Sequence, residues 1–560
     1  MIFPELRSAI TGFLVSLLFL GGTLAQAASS AAEPADPGIV MPVRSCGSLV
    51  DVDLASVGGT GSRVVSARVA GEEGKQTCSV AGVLKENIGF QLTLPLQGWT
   101  QRLMQLGCGG LCGRIGLQVG AAQGCVPVKD GAFALASTDM GHQDQDGTFG
   151  QDPEKRIDFA HRGVHLTALA SKSLIQAFYG QAPRYAYFNG CSDGGREALI
   201  EAQRYPSDFN GIIAGAAALN FQVQNGFYHA WMARANTGAD GKAILLASRL
   251  PLIHKAVLSQ CDELDGQKDG LIANPLACHF DPKSLSCGPS QSGDSCLSTA
   301  EVETVRRFYQ GPRDAATGQA LVQGSVQPGS ELAWAGVFVP STAAEPIFSA
   351  QIAQQALSNV VYEHNPPAGF SLADLKFDGA EFDRLRDMHP LYDATNPDLS
   401  AFAAAGGKLI IWHGWADPHI SPLNSLAYHK AVQAKLGKAR SETFERLYLL
   451  PGVHHCGGGE GPSGIDLLTP MLNWVEGGLA PGEIQVTAAQ IDPASRGFGA
   501  PMGPPSGKTG ESASAKPLPM AIPPKEATAA HVDSSQRSRM IKPWSGNVLL
   551  PNWLGSDFYN

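Results

Sequence analysis

Charged side chains are scarce in this sequence, and their scarcity excludes whole classes of partner. Only 16% of the 560 residues are Asp, Glu, Lys or Arg, and the formal net charge is -10. Nucleic acids and anionic lipid surfaces are bound mainly through clusters of Lys and Arg, so neither is an expected partner. The expected ligand is a small uncharged molecule.

Long apolar runs are also lacking, with one exception near the N-terminus. Arg7 precedes an apolar run over 10–24, which ends in Ala-Gln-Ala at 25–27. The run is short for a membrane span, and a basic residue, an apolar run and small residues in this order are typical of a secretory signal peptide. The sequence therefore predicts a signal peptide over 1–27, cleaved after Ala27, and a secreted or periplasmic protein without a membrane anchor.

The sequence contains eleven cysteines, an odd number. An exported protein is expected to form disulfides, and an odd number of cysteines leaves at least one sulfur over. The sequence alone does not say which cysteines pair. The eleven positions are 46, 78, 108, 112, 125, 191, 261, 278, 287, 296 and 456.

One segment has the pattern of a nucleophile elbow. An aromatic, strand-like run over 185–188 meets Gly-Cys-Ser-Asp-Gly at 190–194, and residues 196–202 have good helix propensity. The glycines let the backbone turn sharply enough to lift Ser192 Oγ clear of the sheet, and the N–H of Asp193 then points to a developing oxyanion. An ordinary Gly-rich turn has the same short pattern, so the assignment depends on the surrounding chain.

The surrounding chain predicts a doubly wound, mostly parallel sheet. The strand-like segment over 102–106 is interpreted as a strand of the sheet edge, and a strand over 133–137, a helix that begins at Asp158 and the elbow follow in the order of such a sheet. The first strand runs into the Gly-rich loop 107–113, whose backbone N–H groups suit the second half of an oxyanion hole. A flexible turn explains this loop equally well.

The strand and helix alternation fails over residues 220–393, which are rich in Gln, Ser, Gly and aromatic residues and contain four cysteines. This segment is interpreted as an inserted lid domain. The main domain is then predicted in two parts, 28–219 and 394–560. A Pro/Ser/Ala/Lys-rich stretch within the second part, 490–535, is predicted to be a mobile loop.

Two strand-like segments of the second part each run into a candidate catalytic group. Residues 408–412 precede Asp417, and residues 446–450 precede His454 and His455. The chain order serine, aspartate, histidine is that of α/β-hydrolases. Serine attacks, histidine moves the proton and aspartate orients the histidine. Each residue alone is more often structural, but their common order at strand ends favours catalysis.

Together these segments resemble the tannase/feruloyl esterase family. They are Gly-Cys-Ser-x-Gly-Gly-Arg at 190–196, His-Gly-x-x-Asp at 413–417, His-Cys at 455–456 and the segment 158–165. The resemblance covers roughly residues 45–485. It implies an α/β-hydrolase fold with a large inserted lid, and a serine carboxylic ester hydrolase that cleaves esters of hydroxybenzoic or hydroxycinnamic acids through an acyl-enzyme.

The resemblance also implies roles for individual residues. It selects His455 as the base, and Gly110 and Asp193 as oxyanion donors, with Gly109 as the alternative to Gly110. One disulfide would join the cysteine beside Ser192 to the cysteine beside the base. The implied pairs are Cys191 with Cys456, Cys261 with Cys278, Cys287 with Cys296, and Cys46 with Cys78, which leaves one pair and one free thiol among Cys108, Cys112 and Cys125.

An acidic loop over 261–272 is a candidate calcium site. Its aspartates are hard oxygen donors in one tight, Gly-containing turn, although a solvated acidic turn is as compatible with the pattern. The resemblance implies a structural Ca²⁺ in the lid, and no organic cofactor is expected. The implied ligands are the carboxylates of Asp262, Asp265 and Asp269 and the carbonyls of Gln267 and Leu271.

The substrate is left open among galloyl, feruloyl and terephthalate esters. Asp193 and Ile420 are the residues expected to contact it. A pocket that hydrogen-bonds hydroxyl groups rejects acyl groups that lack them, whereas terephthalate needs a cation for its free carboxylate. Because several lid arginines could supply this cation, a mono(2-hydroxyethyl) terephthalate hydrolase is the alternative function. A non-catalytic, calcium-stabilised binding protein is the remote alternative. The candidate cations are Arg234, Arg249, Arg306, Arg307 and Arg313.

Overall fold

The computed structural model describes residues 37–289, 293–488 and 538–560. The predicted signal peptide and the predicted mobile loop over 490–535 lie outside these described residues. Within them, no helix combines the length and the apolar character needed to cross a bilayer.

A nine-stranded sheet forms the centre of the protein, in the order β1-β2-β3-β5-β4-β6-β7-β8-β9. Strands β1 to β3 and β5 pair antiparallel, whereas β5, β4 and β6 to β9 pair parallel. This mostly parallel sheet confirms the predicted α/β-hydrolase fold class. The strands are β1 Arg63–Ala70, β2 Thr77–Leu84, β3 Ile88–Pro95, β4 Arg102–Leu106, β5 Phe133–Thr138, β6 Tyr185–Cys191, β7 Gly211–Gly215, β8 Lys408–Gly414 and β9 Glu445–Leu450, and a separate antiparallel pair consists of β10 Ile484–Val486 and β11 Arg539–Ile541.

Burial along the strands follows from the layers that cover them. All residues of β4 and β7 are buried, because helices cover both faces of a parallel sheet. The prediction of a sheet edge at 102–106 was therefore wrong, since β4 lies between β5 and β6. Strands β2 and β3 instead alternate between buried and partly exposed residues, because one face of this antiparallel edge meets solvent. In sheets of this kind the functional site lies at the parallel part of the sheet, where the carboxyl ends of several strands meet at one edge.

The helices are unevenly distributed between the two parts of the chain. They are α1 Ala55–Gly58, α2 Val126–Lys129, α3 Pro153–Ile157, α4 Gly163–Tyr179, α5 Asp193–Arg204, α6 Phe221–Val223, α7 His229–Ala235, α8 Leu250–Cys261, α9 Thr299–Gln310, α10 Phe348–Asn359, α11 Gly379–Arg386, α12 His389–Tyr392, α13 Ser400–Ala404, α14 Pro422–Leu436, α15 Lys438–Ser441 and α16 Leu468–Gly477. Helices α6 to α13 all lie between β7 and β8.

The helical segment that leads to the elbow begins earlier than predicted. Its first turn is α3, capped by the Asp152 side chain, which accepts the N–H of Glu154. A π-helical turn over Asp158–Arg162 then continues into α4, and Gly180 ends the helix in the left-handed conformation. The predicted start at Asp158 was therefore wrong, because the helical segment is capped by Asp152, six residues earlier.

The insertion between β7 and β8 spans residues 216–407 and contributes no strand to the central sheet within its described part. It packs on the loops at the carboxyl edge of that sheet. The Tyr228 hydroxyl donates to the Pro418 carbonyl at 2.8 Å, and the Gln224 side chain donates to the His419 carbonyl in the same loop. The lid boundaries at 220 and 393 stay a prediction, but the insertion covers the edge at which the site lies.

Candidate active site

Ser192 lies between β6 and α5 in a backbone conformation that few non-glycine residues adopt. Its φ is 66° and its ψ is -122°, a combination disfavoured for any residue with a side chain. The flanking glycines are sterically required: a Cβ on Gly190 would lie 2.2 Å from the carbonyl oxygen of Gly194, and a Cβ on Gly194 would lie 2.9 Å from the carbonyl oxygen of Cys108. The strain and the position in the sheet are those of a nucleophile elbow.

Asp417 and His455 follow neighbouring parallel strands, and their side chains meet. His455 Nδ1 lies 2.7 Å from Asp417 Oδ2, whereas His454 Nε2 lies 2.9 Å from Glu460 Oε2. The geometry thus distinguishes the two histidines that the residue pattern alone left open. Because Nδ1–H of His455 donates to the aspartate, Nε2 is the nitrogen that can accept a proton.

Four hydrogen-bond donors surround the Asp417 carboxylate. Oδ1 accepts the backbone N–H groups of His419 at 2.8 Å and Ile420 at 3.0 Å, and Oδ2 accepts from His455 and from His413 at 3.1 Å. Burial alone would raise the pKa of Asp417, but the facing His455 and the bonds from both imidazoles lower it far below its ordinary value. The carboxylate is therefore ionised at neutral pH and can orient His455.

His413 belongs to this site, although the sequence reasoning did not assign it a role. Its Nε2 faces two acceptors, Asp417 Oδ2 and the Ile420 carbonyl at 3.0 Å, and its Nδ1 lies 2.8 Å from Ser425 Oγ. Nε2 therefore carries the proton. The separation of four residues between His413 and Asp417 could have indicated this contact, but a histidine of the ordinary core gives the same pattern.

A disulfide connects the elbow to the loop of His455. Cys191, directly before Ser192, is bonded to Cys456, directly after His455, and their Cα atoms lie 5.9 Å apart. The bridge therefore holds the serine's turn against the histidine's loop. The structure also contains the three other bridges that the resemblance implied, Cys46–Cys78, Cys261–Cys278 and Cys287–Cys296.

The Gly-rich loop after β4 is fixed to the elbow by close backbone packing. The N–H of Gly107 donates to the carbonyl of Asn189 at 3.1 Å, and a Cβ on Gly107 would lie 2.6 Å from the Cα of Gly194. Only glycines permit this approach. The loop that contains Gly110 and the turn that contains Asp193 are thus held side by side, as the two arms of one oxyanion hole require.

A further disulfide closes this Gly-rich loop. Cys108 is bonded to Cys112, and Cys125 is a free, buried thiol. Both bridged sulfurs rest on Glu197 in α5, at 2.8 and 3.4 Å from Oε1, and the Glu197 carboxyl also accepts the N–H of Cys108. Burial, and next the charge of Asp193, raise the pKa of Glu197 well above its ordinary value. Glu197 thus supports the loop through its contacts with both sulfurs and the Cys108 N–H.

The side chain of Asp193 faces the interior. Its carboxylate is 2% exposed and pairs bidentately with the fully buried Arg196, at 2.7 and 3.0 Å. Its backbone N–H is the group left for an oxyanion. Ile420, the other predicted substrate contact, is 3% exposed, and both substrate contacts stay predictions.

The acidic loop after α8 is bound by donors from the chain itself. Asp262 accepts backbone N–H groups of the loop, and Arg539 of β11 donates to Asp269 Oδ2 at 3.0 Å and to Asp265 Oδ2 at 2.7 Å. Among the described residues, the groups whose ligand atoms lie within 4.8 Å of one another do not include these aspartates. In this arrangement the loop's own backbone N–H groups and the Arg539 guanidinium satisfy the carboxylates. The calcium ligands stay a prediction.

Comparisons with known proteins agree with this geometry. A sequence profile described as "Tannase and feruloyl esterase" matches residues 67–518. An uncharacterised esterase of Xanthomonas campestris pv. campestris is 32% identical over 529 residues, which cover 86% of this chain and 88% of that protein. The mono(2-hydroxyethyl) terephthalate hydrolase of Piscinibacter sakaiensis is 31% identical over 476 residues, 73% of this chain and 77% of that protein. The crystal structure of feruloyl esterase B from Aspergillus oryzae matches with a TM-score of 0.68 at 27% identity, over 80% of this chain and 93% of that chain.

A strained serine after β6 and an aspartate–histidine pair after β8 and β9 define a carboxylic ester hydrolase with the α/β-hydrolase fold. Such an enzyme acts on small ester substrates. The chain belongs to the tannase/feruloyl esterase family, since the family profile covers most of its length.

Proposed function

We propose that this chain is an exported serine esterase that cleaves esters of aromatic acids through an acyl-enzyme. The observation that carries the proposal is the Cys191–Cys456 bridge, because it holds the strained Ser192 elbow against the His455 loop while His455 is hydrogen-bonded to Asp417. A non-catalytic binding protein would not need this strain or this hydrogen bond.

In the proposed reaction Ser192 Oγ attacks the ester carbonyl carbon while His455 Nε2 takes the Oγ proton. The N–H groups of Asp193 and Gly110 stabilise the charge that develops on the carbonyl oxygen. When the tetrahedral intermediate collapses, His455 returns the proton to the leaving alkoxide, and the alcohol departs. Water then attacks the acyl-enzyme by the same route, which releases the acid and restores the serine.

The proposed acyl group is of the hydroxybenzoic or hydroxycinnamic type, with the terephthalate monoester as the alternative. Relatives named for feruloyl and for terephthalate esters support both. A terephthalate carboxylate needs a cation, and every arginine put forward for this role is engaged elsewhere. Arg234 donates to the Leu375 carbonyl, Arg249 to Glu301, Arg306 to Glu303 and Arg313 to the Gly318 carbonyl, while Arg307 lies over the Trp231 ring.

Export is a second part of the proposal, through a signal peptide over 1–27 cleaved after Ala27. Five disulfides among the described residues support it, because structural disulfides persist mainly outside reducing compartments. Mass spectrometry of the N-terminus after expression in a bacterial host with its export machinery tests the cleavage site. An intact N-terminus on protein from the periplasm would contradict this part.

The test of function compares kcat/KM on methyl gallate, methyl ferulate and mono(2-hydroxyethyl) terephthalate. Wild type is expected to prefer a gallate or ferulate ester by about a hundredfold, and Ser192→Ala to lose at least about a thousandfold on every ester. Ser284→Ala is the matched control, because Ser284 is exposed and bonds only the Asp281 carbonyl. Activity retained in Ser192→Ala would refute the nucleophile, and a preference for the terephthalate ester would favour the alternative.

A further inference from the structure

His419 lies beside the proposed base, two residues after Asp417. The centroid of its ring is 4.8 Å from that of His455, 5.7 Å from that of Phe348 and 6.0 Å from that of His229. His419 is partly exposed, whereas His229 is buried. A bound ester has its carbonyl carbon within reach of both Ser192 and His455, which makes a ring this close to His455 a candidate for contact with the acyl group.

The main chain around His419 is fixed from two sides. Its N–H donates to Asp417 Oδ1 at 2.8 Å, and its carbonyl accepts from the Gln224 side chain of the insertion. The preceding carbonyl, of Pro418, accepts the Tyr228 hydroxyl at 2.8 Å. The backbone therefore holds the ring at a set place between the insertion and the loop after β8.

The ring nitrogens of His419 are free to bind a ligand. Within the described part of the chain, every hydrogen bond of His419 involves its backbone, and neither ring nitrogen has a partner. Partial loss of hydration, and then the neighbouring His455 and His229, lower the pKa of His419 well below its ordinary value, so the ring is neutral at pH 7. A neutral imidazole offers one donor and one acceptor.

That pair of groups is complementary to a hydroxyl, which also donates and accepts. A carboxylate only accepts hydrogen bonds and brings a charge that a neutral ring does not balance. The adjacent Phe348 ring meets His419 edge-on, at an interplanar angle of 85°, and adds the kind of apolar wall against which a flat aromatic acyl ring packs.

We propose that His419 is a specificity-determining residue that binds a phenolic hydroxyl of the acyl group, with Phe348 as the aromatic wall beside it. This inference rests on the proposed esterase function and narrows it to hydroxylated aromatic acyl groups. Its direct consequence is discrimination against acyl rings whose hydroxyls are absent or blocked, because they leave the imidazole unpaired.

The test measures kcat/KM on methyl gallate and on its fully O-methylated analogue, and takes the ratio of the two. We expect a wild-type ratio of about a hundred or more, and a fall of about tenfold or more in His419→Phe, which keeps a ring but has no donor or acceptor. His419→Gln retains both groups and is expected to retain most of the ratio. His454→Gln is the matched control, since His454 pairs with Glu460 instead.

Three outcomes would overturn the inference. One is an unchanged ratio in His419→Phe. Another is an equal loss on both esters in His419→Phe and His419→Gln together, which would show a structural role. The third is a loss of kcat/KM in His419→Phe that depends on the alcohol part of the ester and not on the acyl part, measured by comparing glucosyl and methyl esters of one acid. Ser192→Ala distinguishes failure of this inference from failure of the proposed esterase function. If Ser192→Ala loses activity but His419→Phe keeps the wild-type ratio, the role of His419 is rejected and the esterase function stands. Melting temperatures confirm that each variant is folded.

Discussion

Replacing Cys191 and Cys456 together by serine removes the covalent link between the elbow and the loop of the base. The bridge spans 265 residues, for which the chain-entropy treatment gives a stabilisation of about 5.5 kcal/mol. This is an upper value, because two other bridges already shorten the loop. The matched control is Cys287→Ser/Cys296→Ser, a bridge of separation 9, for which the same treatment gives about 2.5 kcal/mol.

Urea unfolding followed by tryptophan fluorescence measures the two free energies, and kcat on methyl ferulate measures the effect on the site. We expect the Cys191→Ser/Cys456→Ser variant to lose about twice as much stability as the control, and its kcat to fall at least about tenfold, because small misplacement of reacting groups is costly. The control is expected to keep its kcat. Equal losses of stability with wild-type kcat in both variants would refute the reasoning.

Three further predictions concern other parts of the molecule. The Cys108→Ala/Cys112→Ala variant loosens the oxyanion loop, so kcat is expected to fall at least about tenfold with KM within about threefold in steady-state kinetics, a smaller loss than removal of a whole donor. Burial raises the pKa of Asp139 from 3.8 to about 6; the stability contributed by its protonated form is present below pH 3.8 and is lost as pH rises through 6. Asp139→Asn is therefore expected to be more stable than wild type at pH 8, by about 3 kcal/mol at most, and to match it near pH 4, in urea titrations. Arg539→Gln frees two carboxylates of the acidic loop and is expected to bind Ca²⁺ more tightly than wild type in calorimetric titration with CaCl₂.

Each of these predictions has its own control and its own contrary result. Cys46→Ala/Cys78→Ala removes a bridge of the N-terminal strands, and an equal fall in kcat there would show that loss of any bridge suffices. Asp53→Asn changes an exposed aspartate, and the same pH dependence in that variant would contradict the assignment to Asp139. Tight Ca²⁺ binding by wild type, unchanged in Arg539→Gln, would show that the guanidinium does not compete for the loop.

Local patterns were sufficient for the fold class and for the elbow. The elbow is encoded in contiguous residues, because a strand, two glycines around a serine and a helix specify one sharp turn, and Ser192 has the strained backbone this turn requires. The parallel character of the sheet was predictable from the alternation of apolar strands with helices, but the interior position of residues 102–106 was not. The predicted helix start at Asp158 was wrong because the Asp152 side chain caps the segment six residues earlier.

The nucleophilic serine, the strand before each catalytic candidate and the order of these candidates along the chain were all predictable from the amino-acid sequence alone. The packing of the chain shows that His455, which the resemblance had selected, meets Asp417 while His454 pairs with Glu460. It also pairs Cys108 with Cys112 and brings the His419 ring to within 4.8 Å of the His455 ring. Arg539 reaches an aspartate 270 positions away. These contacts depend on side-chain directions and on the approach of distant segments. Both are set when the sheet edge and the insertion pack together, and the neighbours of each residue in the chain do not determine them.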